Sequence, residues 1–192
     1  MTAISPTSLV ANALRESARL HEQAAIDSPA LVASVAAVLQ AAFAKDHKVL
    51  MFGNGGSALD AQHFAAELVG RFARERRALP AISLTTDTSI LTSVANDYAY
   101  EQVFARQVEA LGRAGDVAVG ISTSGTSANI LAGLKAAKAR GMTTVAFTGR
   151  DGGAIGAMAD VHVNVPHAVT ARVQEVHRSL IHAVCELVEK DL

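Results

Sequence analysis

The chain has 192 residues and a formal net charge of −1, with 17 Lys and Arg residues against 18 Asp and Glu residues. This length fits one domain, and the balanced charge excludes the large cationic surface that nucleic-acid binding needs. A single cysteine, Cys185, excludes a disulfide framework and a cysteine-rich metal site. Half of the residues are hydrophobic, and no basic segment precedes an apolar stretch at the start of the chain. These features favour a soluble, cytoplasmic protein that binds neither nucleic acid nor membranes.

Two apolar helices are predicted before the first strand. Residues 7–26 carry hydrophobic side chains at helical spacing, and a second helix begins at Pro29. A bare nucleotide-binding domain usually opens with its strand, so we expect these two helices to pack between subunits, with packing inside the chain as the alternative. The apolar residues expected at that contact include Leu14, Val35 and Leu39.

Beyond residue 47, short apolar runs alternate with helical segments. Strands are predicted at residues 48–52, 80–85, 116–121, 143–147 and 161–165. Helices are predicted at residues 58–71, 88–95, 101–111, 128–140 and 170–190. This alternation indicates a parallel sheet covered on both faces. The sequence therefore predicts one α/β domain, 1–192, with an N-terminal helical segment, 1–46, and an α/β core, 47–192.

Two loops rich in glycine and hydroxyl groups are candidate phosphate sites. The segments 53–57 and 122–127 each follow a predicted strand and precede a predicted helix. Glycine lets the backbone approach a ligand, and a helix N-terminus attracts anions. The second loop carries five hydroxyls where capping needs one, whereas the first could be a tight turn capped by Ser57. No Walker lysine and no G-x-G-x-x-G is present, which favours a phosphorylated small molecule over a nucleotide.

Candidate acid–base groups lie on two of the predicted helices. His63 and Glu67 are four residues apart, on one helix face, where they can share a metal or position each other. The alternative is a solvated polar face. Gln174 and His182 are eight residues apart on the last helix, so they converge on one ligand only if both lean inward or one acts across a subunit contact. His182 is alternatively a hydrogen-bonded core residue.

Two further polar segments are interpreted as solvent-facing. Arg74, Arg76 and Arg77 are expected in a solvated loop, and the segment 96–98 is expected to be a turn that ends a helix. The residues alone therefore indicate a site for a phospho-sugar or similar ligand, with a carboxylate and an imidazole nearby for proton transfer.

The longer motifs resemble the phosphoheptose isomerase family, which belongs to the sugar isomerase (SIS) domain superfamily. The resemblance runs from about residue 5 to residue 190, in matched order and spacing. It is carried by the segments 53–58, 60–67, 84–87, 95–98, 122–127, 147–149 and 173–177. The segment that contains His63 and Glu67 is specific to the family, whereas the Ser/Thr loop marks only the superfamily.

The resemblance implies a three-layer, flavodoxin-like SIS domain with a five-stranded parallel sheet flanked by helices, assembled as a homotetramer. It implies an isomerase that converts sedoheptulose 7-phosphate to D-glycero-D-manno-heptose 7-phosphate. That reaction is the first step toward activated heptose for the lipopolysaccharide core and other surface polysaccharides. Since this aldose–ketose conversion passes through an enediol, Glu67 and His182 suit the base and the acid.

The resemblance also implies a set of binding residues. One Zn²⁺ per subunit is expected, with ligands that match His63, Glu67, Gln174 and His182. The family's sugar-phosphate contacts match Asn54, Gly55, Gly56, Ser57, Asn96, Asp97, Ser122, Thr123, Ser124, Ser127 and Gln174, and Arg71 matches a recurrent active-site arginine. Ala171 departs from relatives that carry an acidic residue there, and no role is assigned to it.

Two alternatives lie within the same superfamily. A related tetrameric SIS protein is not an enzyme and binds the bacterial replication initiator. Its counterparts of Glu67 and His182 do not titrate, so the presence of both in this chain favours the enzyme. The second alternative, an isomerase of a hexulose phosphate, is disfavoured by the same two residues together with His63 and Gln174.

Overall fold

The computed structural model describes residues 5–190. Two helices, α1 (Pro6–Asp27) and α2 (Pro29–Phe43), precede the first strand, as predicted. The strands are β1 (Val49–Gly53), β2 (Ala81–Ser83), β3 (Val117–Ser122), β4 (Thr143–Gly149) and β5 (Val161–Val165). The remaining helices are α3 (Gly56–Val69), α4 (Thr88–Asp97), α5 (Ala105–Leu111), α6 (Ala128–Ala139), α7 (Gly153–Met158) and α8 (Thr170–Lys190), with a 3₁₀ turn at Tyr100–Gln102.

The five strands form one parallel sheet in the order β2-β1-β3-β4-β5. This is the order of flavodoxin-like folds, in which the chain changes direction across the sheet between β1 and β3. The predicted fold class is therefore confirmed. Because β1 and β3 are direct neighbours, with Gly53 opposite Ile121, the loops that follow them emerge side by side.

Both faces of the sheet are covered by apolar helices. In β1, Val49 and Met51 belong to a core shared with α2, α3 and α8, whereas Leu50 and Phe52 belong to a core shared with α5, α6 and α7. The central strands β1 and β3 are buried along their whole length. This two-sided burial explains why their sequences are continuous apolar runs.

Several predicted boundaries are shifted, and one helix was not predicted. Helix α3 begins at Gly56 rather than at residue 58, and its N-cap is Gly55, whose φ of 56° suits glycine. Ser57 lies buried within the first turn, so the alternative of a tight turn capped by Ser57 is wrong. Helix α7 has six residues, two of them glycines, and no capping side chain. A segment this short carries too little periodicity to be recognised.

The N-terminal helices differ in what they cover. Val35 and Leu39 are 0% exposed and belong to the core between α2, the sheet and α8. Their predicted place between subunits is therefore wrong, because this face of α2 is occupied within the chain. Leu14, by contrast, is 67% exposed on α1.

No single helix within residues 5–190 has the length and hydropathy to cross a membrane, although α1 and α2 meet those criteria as a pair bent by 68°.

Candidate active site

The two predicted phosphate loops lie next to each other at the carboxyl edge of the sheet, where open α/β sheets bind ligands. Asn54 of the first loop exchanges hydrogen bonds with Asn129 on α6, at 2.9 and 2.8 Å. The Tyr100 hydroxyl donates a third hydrogen bond to Asn54 Oδ1 at 3.1 Å. These bonds fix the first loop against the helix that follows the second loop.

Three serine hydroxyls converge in the second loop. Ser122 Oγ lies 3.0 Å from Ser127 Oγ and 3.3 Å from Ser124 Oγ. Ser127 occupies the N-cap position of α6, yet its side chain makes no capping hydrogen bond. Gly125 has a φ of 70°, and a Cβ there would overlap the backbone at Gly152. The loop is therefore packed closely against the backbone at Gly152, and its hydroxyls face one another instead of capping the helix.

Helix α8 lies beside α3 and runs parallel to it, so that residues four apart on α8 meet successive turns of α3. At the start of α3, a Cβ on Gly56 would overlap the side-chain amide of Gln174. One turn on, Asp60 is 1% exposed and accepts a hydrogen bond from Arg178 Nη2 at 2.8 Å. The glycine lets Gln174 reach the beginning of α3, next to the first loop.

The third contact between these helices joins His63 to His182. Their Nε2 atoms lie 2.7 Å apart, and Glu67 Oε1 lies 3.6 Å from His63 Nε2. Burial lowers the pKa of His182, as do the neighbouring His63 and Arg178, against the opposing effect of Glu67. His182 is therefore neutral at pH 7, with one ring nitrogen able to accept a proton. The expected convergence of His63, Glu67 and His182 is present, and the alternative of a purely solvated helix face is wrong.

The donor set is suited to a zinc ion, although it is not preformed. Two imidazoles and a carboxylate are ligands that Zn²⁺ prefers, at about 2.0–2.2 Å from the metal. Two nitrogens held at that distance in a tetrahedral site are roughly 3.3 Å apart, close to the 2.7 Å between His63 and His182. Within residues 5–190, however, no three His, Cys, Asp or Glu side chains already converge on one metal position. A zinc ion held by these residues would therefore require the side chains to rearrange around it.

Three of the expected ligand-binding residues are exposed at the surface of the single chain. Asn96 and Asp97 are exposed at the end of α4, where Asn96 Nδ2 donates to Asp97 Oδ1 at 2.8 Å. Arg71 is 63% exposed, with its Nε 3.9 Å from Glu75. Thr123 is half-buried in the loop beside Ser122. The structure of the single chain therefore joins the first loop to the two helices that carry the histidine pair, and leaves Arg71, Asn96 and Asp97 at its surface.

The interpretation of Arg76 as a solvated residue is wrong. Its side chain is 5% exposed and donates hydrogen bonds to the carbonyls of Glu67 and Leu68, at 2.7 and 2.8 Å. These carbonyls lie in the last turn of α3, where helices leave C=O groups without intrahelical partners. A cluster of arginines after a helix looks solvated in a sequence, because only the folded chain shows which of them turns back.

Sequence reasoning also missed the buried polar residues behind the site. Asp60 precedes His63 by three residues, and this spacing on one helix was the signal for its placement. His177 is fully buried on α8, and its Nε2 donates to the Thr148 carbonyl at 2.9 Å. Burial lowers the pKa of His177 to about 4, against the opposing effects of that carbonyl and of Asp60. His177 is therefore a neutral structural group that ties α8 to β4.

The sequence profile of the SIS domain matches residues 14–149. A phosphoheptose isomerase from Pelobacter propionicus is 55% identical over 179 residues, which cover 93% of this chain and 95% of that protein. The chain belongs to the phosphoheptose isomerase family of SIS domain proteins. The solved phosphoheptose isomerase of Neisseria gonorrhoeae is 49% identical, with a TM-score of 0.92, over 96% of this chain and 99% of that one. The Francisella tularensis family member is 35% identical, with a TM-score of 0.94, over 97% and 100%.

Proposed function

We propose that the chain is a phosphoheptose isomerase that converts sedoheptulose 7-phosphate to D-glycero-D-manno-heptose 7-phosphate. The observation that carries this proposal is the His63–His182 contact, with Glu67 beside it, on two helices that meet at the first glycine-rich loop. Full-length similarity to phosphoheptose isomerases supports the substrate class. Retention of Glu67 and His182 favours the enzyme over a binding protein built on the same framework.

The phosphate is proposed to lie against the hydroxyls of Ser122, Ser124 and Ser127. Several short donors can surround a tetrahedral phosphate without steric bulk, and hydrogen bonds to a charged group are the stronger kind. Binding at the phosphate places the far end of the sugar, C1 and C2, at a fixed distance along the groove between α3 and α8. The side chain of Gln174, which touches the start of α3, is suited to hold the sugar hydroxyls in between.

Glu67 and His182 are proposed to move the proton between C1 and C2. The base removes a proton from the carbon beside the carbonyl, and the acid gives one to the other carbon or oxygen as the enediol collapses. Glu67 is a carboxylate at a half-buried position, and His182 is neutral at pH 7 for the reasons given above. A neutral imidazole has one nitrogen that can accept a proton and one that carries a hydrogen, so His182 can take up or give a proton opposite Glu67.

One zinc ion per subunit is proposed, held by His63, Glu67, Gln174 and His182. When bound, such an ion polarises a carbonyl oxygen and stabilises the developing oxyanion. A carboxylate has two oxygens, so Glu67 can bind a cation with one and accept a proton with the other. An imidazole nitrogen that binds a cation has no free lone pair, so for His182 the two roles exclude each other at Nε2.

A homotetramer, a cytoplasmic location and a role in lipopolysaccharide heptose synthesis complete the proposal. Exposed apolar residues on α1, among them Leu9, Val10 and Leu14, support association through that helix. Side chains that lie at the surface of one chain, such as Arg71 and Asp97, then become candidates for a site completed at a subunit contact.

The proposal is tested by an isomerase assay on the purified full-length chain. Sedoheptulose 7-phosphate should be converted, and fructose 6-phosphate at the same concentration should react at least 100-fold more slowly. Equal rates with both sugars would favour the hexulose-phosphate isomerase instead. No conversion of either, with Zn²⁺ supplied, would favour the binding protein.

A further inference from the structure

Glu189, near the C-terminal end of α8, is a buried carboxylate that proton transfer and phosphate binding leave unused. It accepts hydrogen bonds from three consecutive backbone N–H groups, those of Phe72, Ala73 and Arg74, at 2.6, 2.8 and 2.9 Å. Such a run of N–H groups forms a concave anion site. Burial by itself raises the pKa of Glu189, but these N–H groups and Arg76 outweigh it and hold the pKa below its ordinary value. Glu189 is thus a charged group that binds the loop after α3.

Arg76 carries the opposite charge of this arrangement. Its Nε lies 3.2 Å from Glu189 Oε1, and both side chains are at least 95% buried. Its Nη atoms donate to the carbonyls of Glu67 and Gly70 at 2.7 and 2.9 Å. A guanidinium at a helix C-terminus satisfies free carbonyls and interacts favourably with the helix dipole. A buried cation without its partner is strongly destabilising. The bonding of Arg76 to the last carbonyls of α3 therefore depends on Glu189.

The loop held by Glu189 also contacts the second member of the proton-transfer pair. The Phe72 ring lies 5.5 Å from the His182 ring between centroids, tilted by 39°. Phe72 is the first of the three residues whose N–H groups bind the carboxylate. One carboxylate therefore fixes the helix turn that carries Glu67 and the aromatic ring that borders His182.

We infer that Glu189 and Arg76 are positioning residues for the reaction: together they set the distance between Glu67 and His182. The inference rests on the proposed isomerase function. Neither residue contacts the second loop, 122–127. Replacing either one should therefore change proton transfer rather than phosphate binding. A displacement of about 1 Å at a reacting group can lower the rate by about 100-fold.

The test uses Glu189→Gln in the full-length protein. The amide has one acceptor oxygen and turns an N–H group toward donors, so the loop is released. We expect kcat to fall about 10- to 100-fold with KM changed less than about threefold. The His182 Hε1 signal in the NMR spectrum, assigned with His182→Gln, should shift because the ring of Phe72 moves.

Val188→Ala is the matched control, since Val188 is the preceding residue, is 0% exposed and lies in the core. It should lower the melting temperature without changing kcat or the His182 signal. The inference is overturned if Glu189→Gln matches this control in both readouts. If Glu189→Gln fails to fold, Arg76→Lys is the variant to test. Lysine keeps the positive charge but lacks the planar guanidinium that bonds several acceptors at once. An unchanged kcat in Arg76→Lys would overturn the inference.

The two proposals can fail separately. If the wild-type chain converts no sedoheptulose 7-phosphate, the proposed function is lost. The His182 signal in Glu189→Gln and Arg76→Lys then decides alone whether the buried pair sets the position of the imidazole.

Discussion

His63 and His182 are 119 positions apart in the sequence, and their Nε2 atoms lie 2.7 Å apart in the fold. The contact exists because α3 and α8 are parallel neighbours on one face of the sheet. Only one of the two facing nitrogens can carry the hydrogen, so the pair shares a single proton or opens to admit a cation between its rings. Either state places an imidazole beside the Glu67 carboxylate.

Replacement of the proton-transfer groups should stop turnover without unfolding the chain. For Glu67→Gln and for His182→Gln we expect kcat to fall by about 100- to 10,000-fold, because a general acid or base contributes that much. Glu67→Gln keeps the shape and one oxygen ligand, so its zinc content should stay near that of the wild type. Turnover, zinc content and binding of inorganic phosphate should be measured for both variants.

The matched control for these variants is Glu186→Gln, which removes a carboxylate from an exposed position of α8. Its turnover should equal that of the wild type. Near-normal turnover in Glu67→Gln would reject Glu67 as the base. A loss of activity in His182→Gln that tracks zinc loss at every metal concentration would assign His182 as a ligand only.

The phosphate loop should respond to the loss of one hydroxyl. Ser124 Oγ lies 3.3 Å from Ser122 Oγ and accepts a hydrogen bond from the Thr126 N–H at 3.2 Å. Ser124→Ala removes a donor to a charged ligand, worth about 1.5–3 kcal/mol, so KM should rise about 10- to 150-fold. Ser93→Ala, on the exposed face of α4, is the control and should leave KM unchanged. A normal KM in Ser124→Ala would show that this loop is a structural turn and does not bind the phosphate.

The sequence predicts the sheet and the positions of the two glycine- and hydroxyl-rich loops well, because both depend on local features. Apolar runs fix the strands, and the order of strands and helices fixes a parallel sheet. The contact between His63 and His182 follows from the packing of α8 against α3. The spacing of residues within one helix cannot predict which other helix packs against it. The burial of Arg76 depends on Glu189, more than 100 residues further along the chain. Long-range pairing of this kind leaves no periodic signal in either segment.

The roles of the two N-terminal helices can be separated by two substitutions. Leu14→Glu places a charge on the exposed face of α1 and should dissociate the proposed tetramer, with little change in the unfolding of the subunit. Leu39→Ala removes a fully buried side chain and should cost about 2–5 kcal/mol in the free energy of unfolding, with the assembly retained. Light scattering at micromolar concentration measures the first effect and urea unfolding the second. A wild-type chain that is monomeric by light scattering would contradict the proposed assembly.

The buried His177 should make the stability of the chain depend on pH below neutrality. Its pKa is about 4 in the folded chain, against 6.5 for an unperturbed histidine. Below pH 6.5 the unfolded chain therefore binds a proton that the folded chain does not, and stability falls until the pH reaches about 4. The full difference corresponds to about 3 kcal/mol in the free energy of unfolding. His177→Gln keeps a donor for the Thr148 carbonyl but does not titrate, so its stability should vary less between pH 7 and pH 4.5.

Urea unfolding of wild type, His177→Gln and the control Val176→Ala at pH 7.5, 6.0 and 5.0 would measure this effect. Val176 is a neighbouring buried side chain that cannot titrate, so its loss should lower the stability by the same amount at each pH. Carboxylates with lowered pKa values, such as Asp116 and Glu189, also lose stabilising interactions as the pH falls. They are common to all three proteins, so the difference between wild type and His177→Gln isolates the histidine. Parallel pH curves for these two proteins would show that His177 can take up a proton without leaving the core.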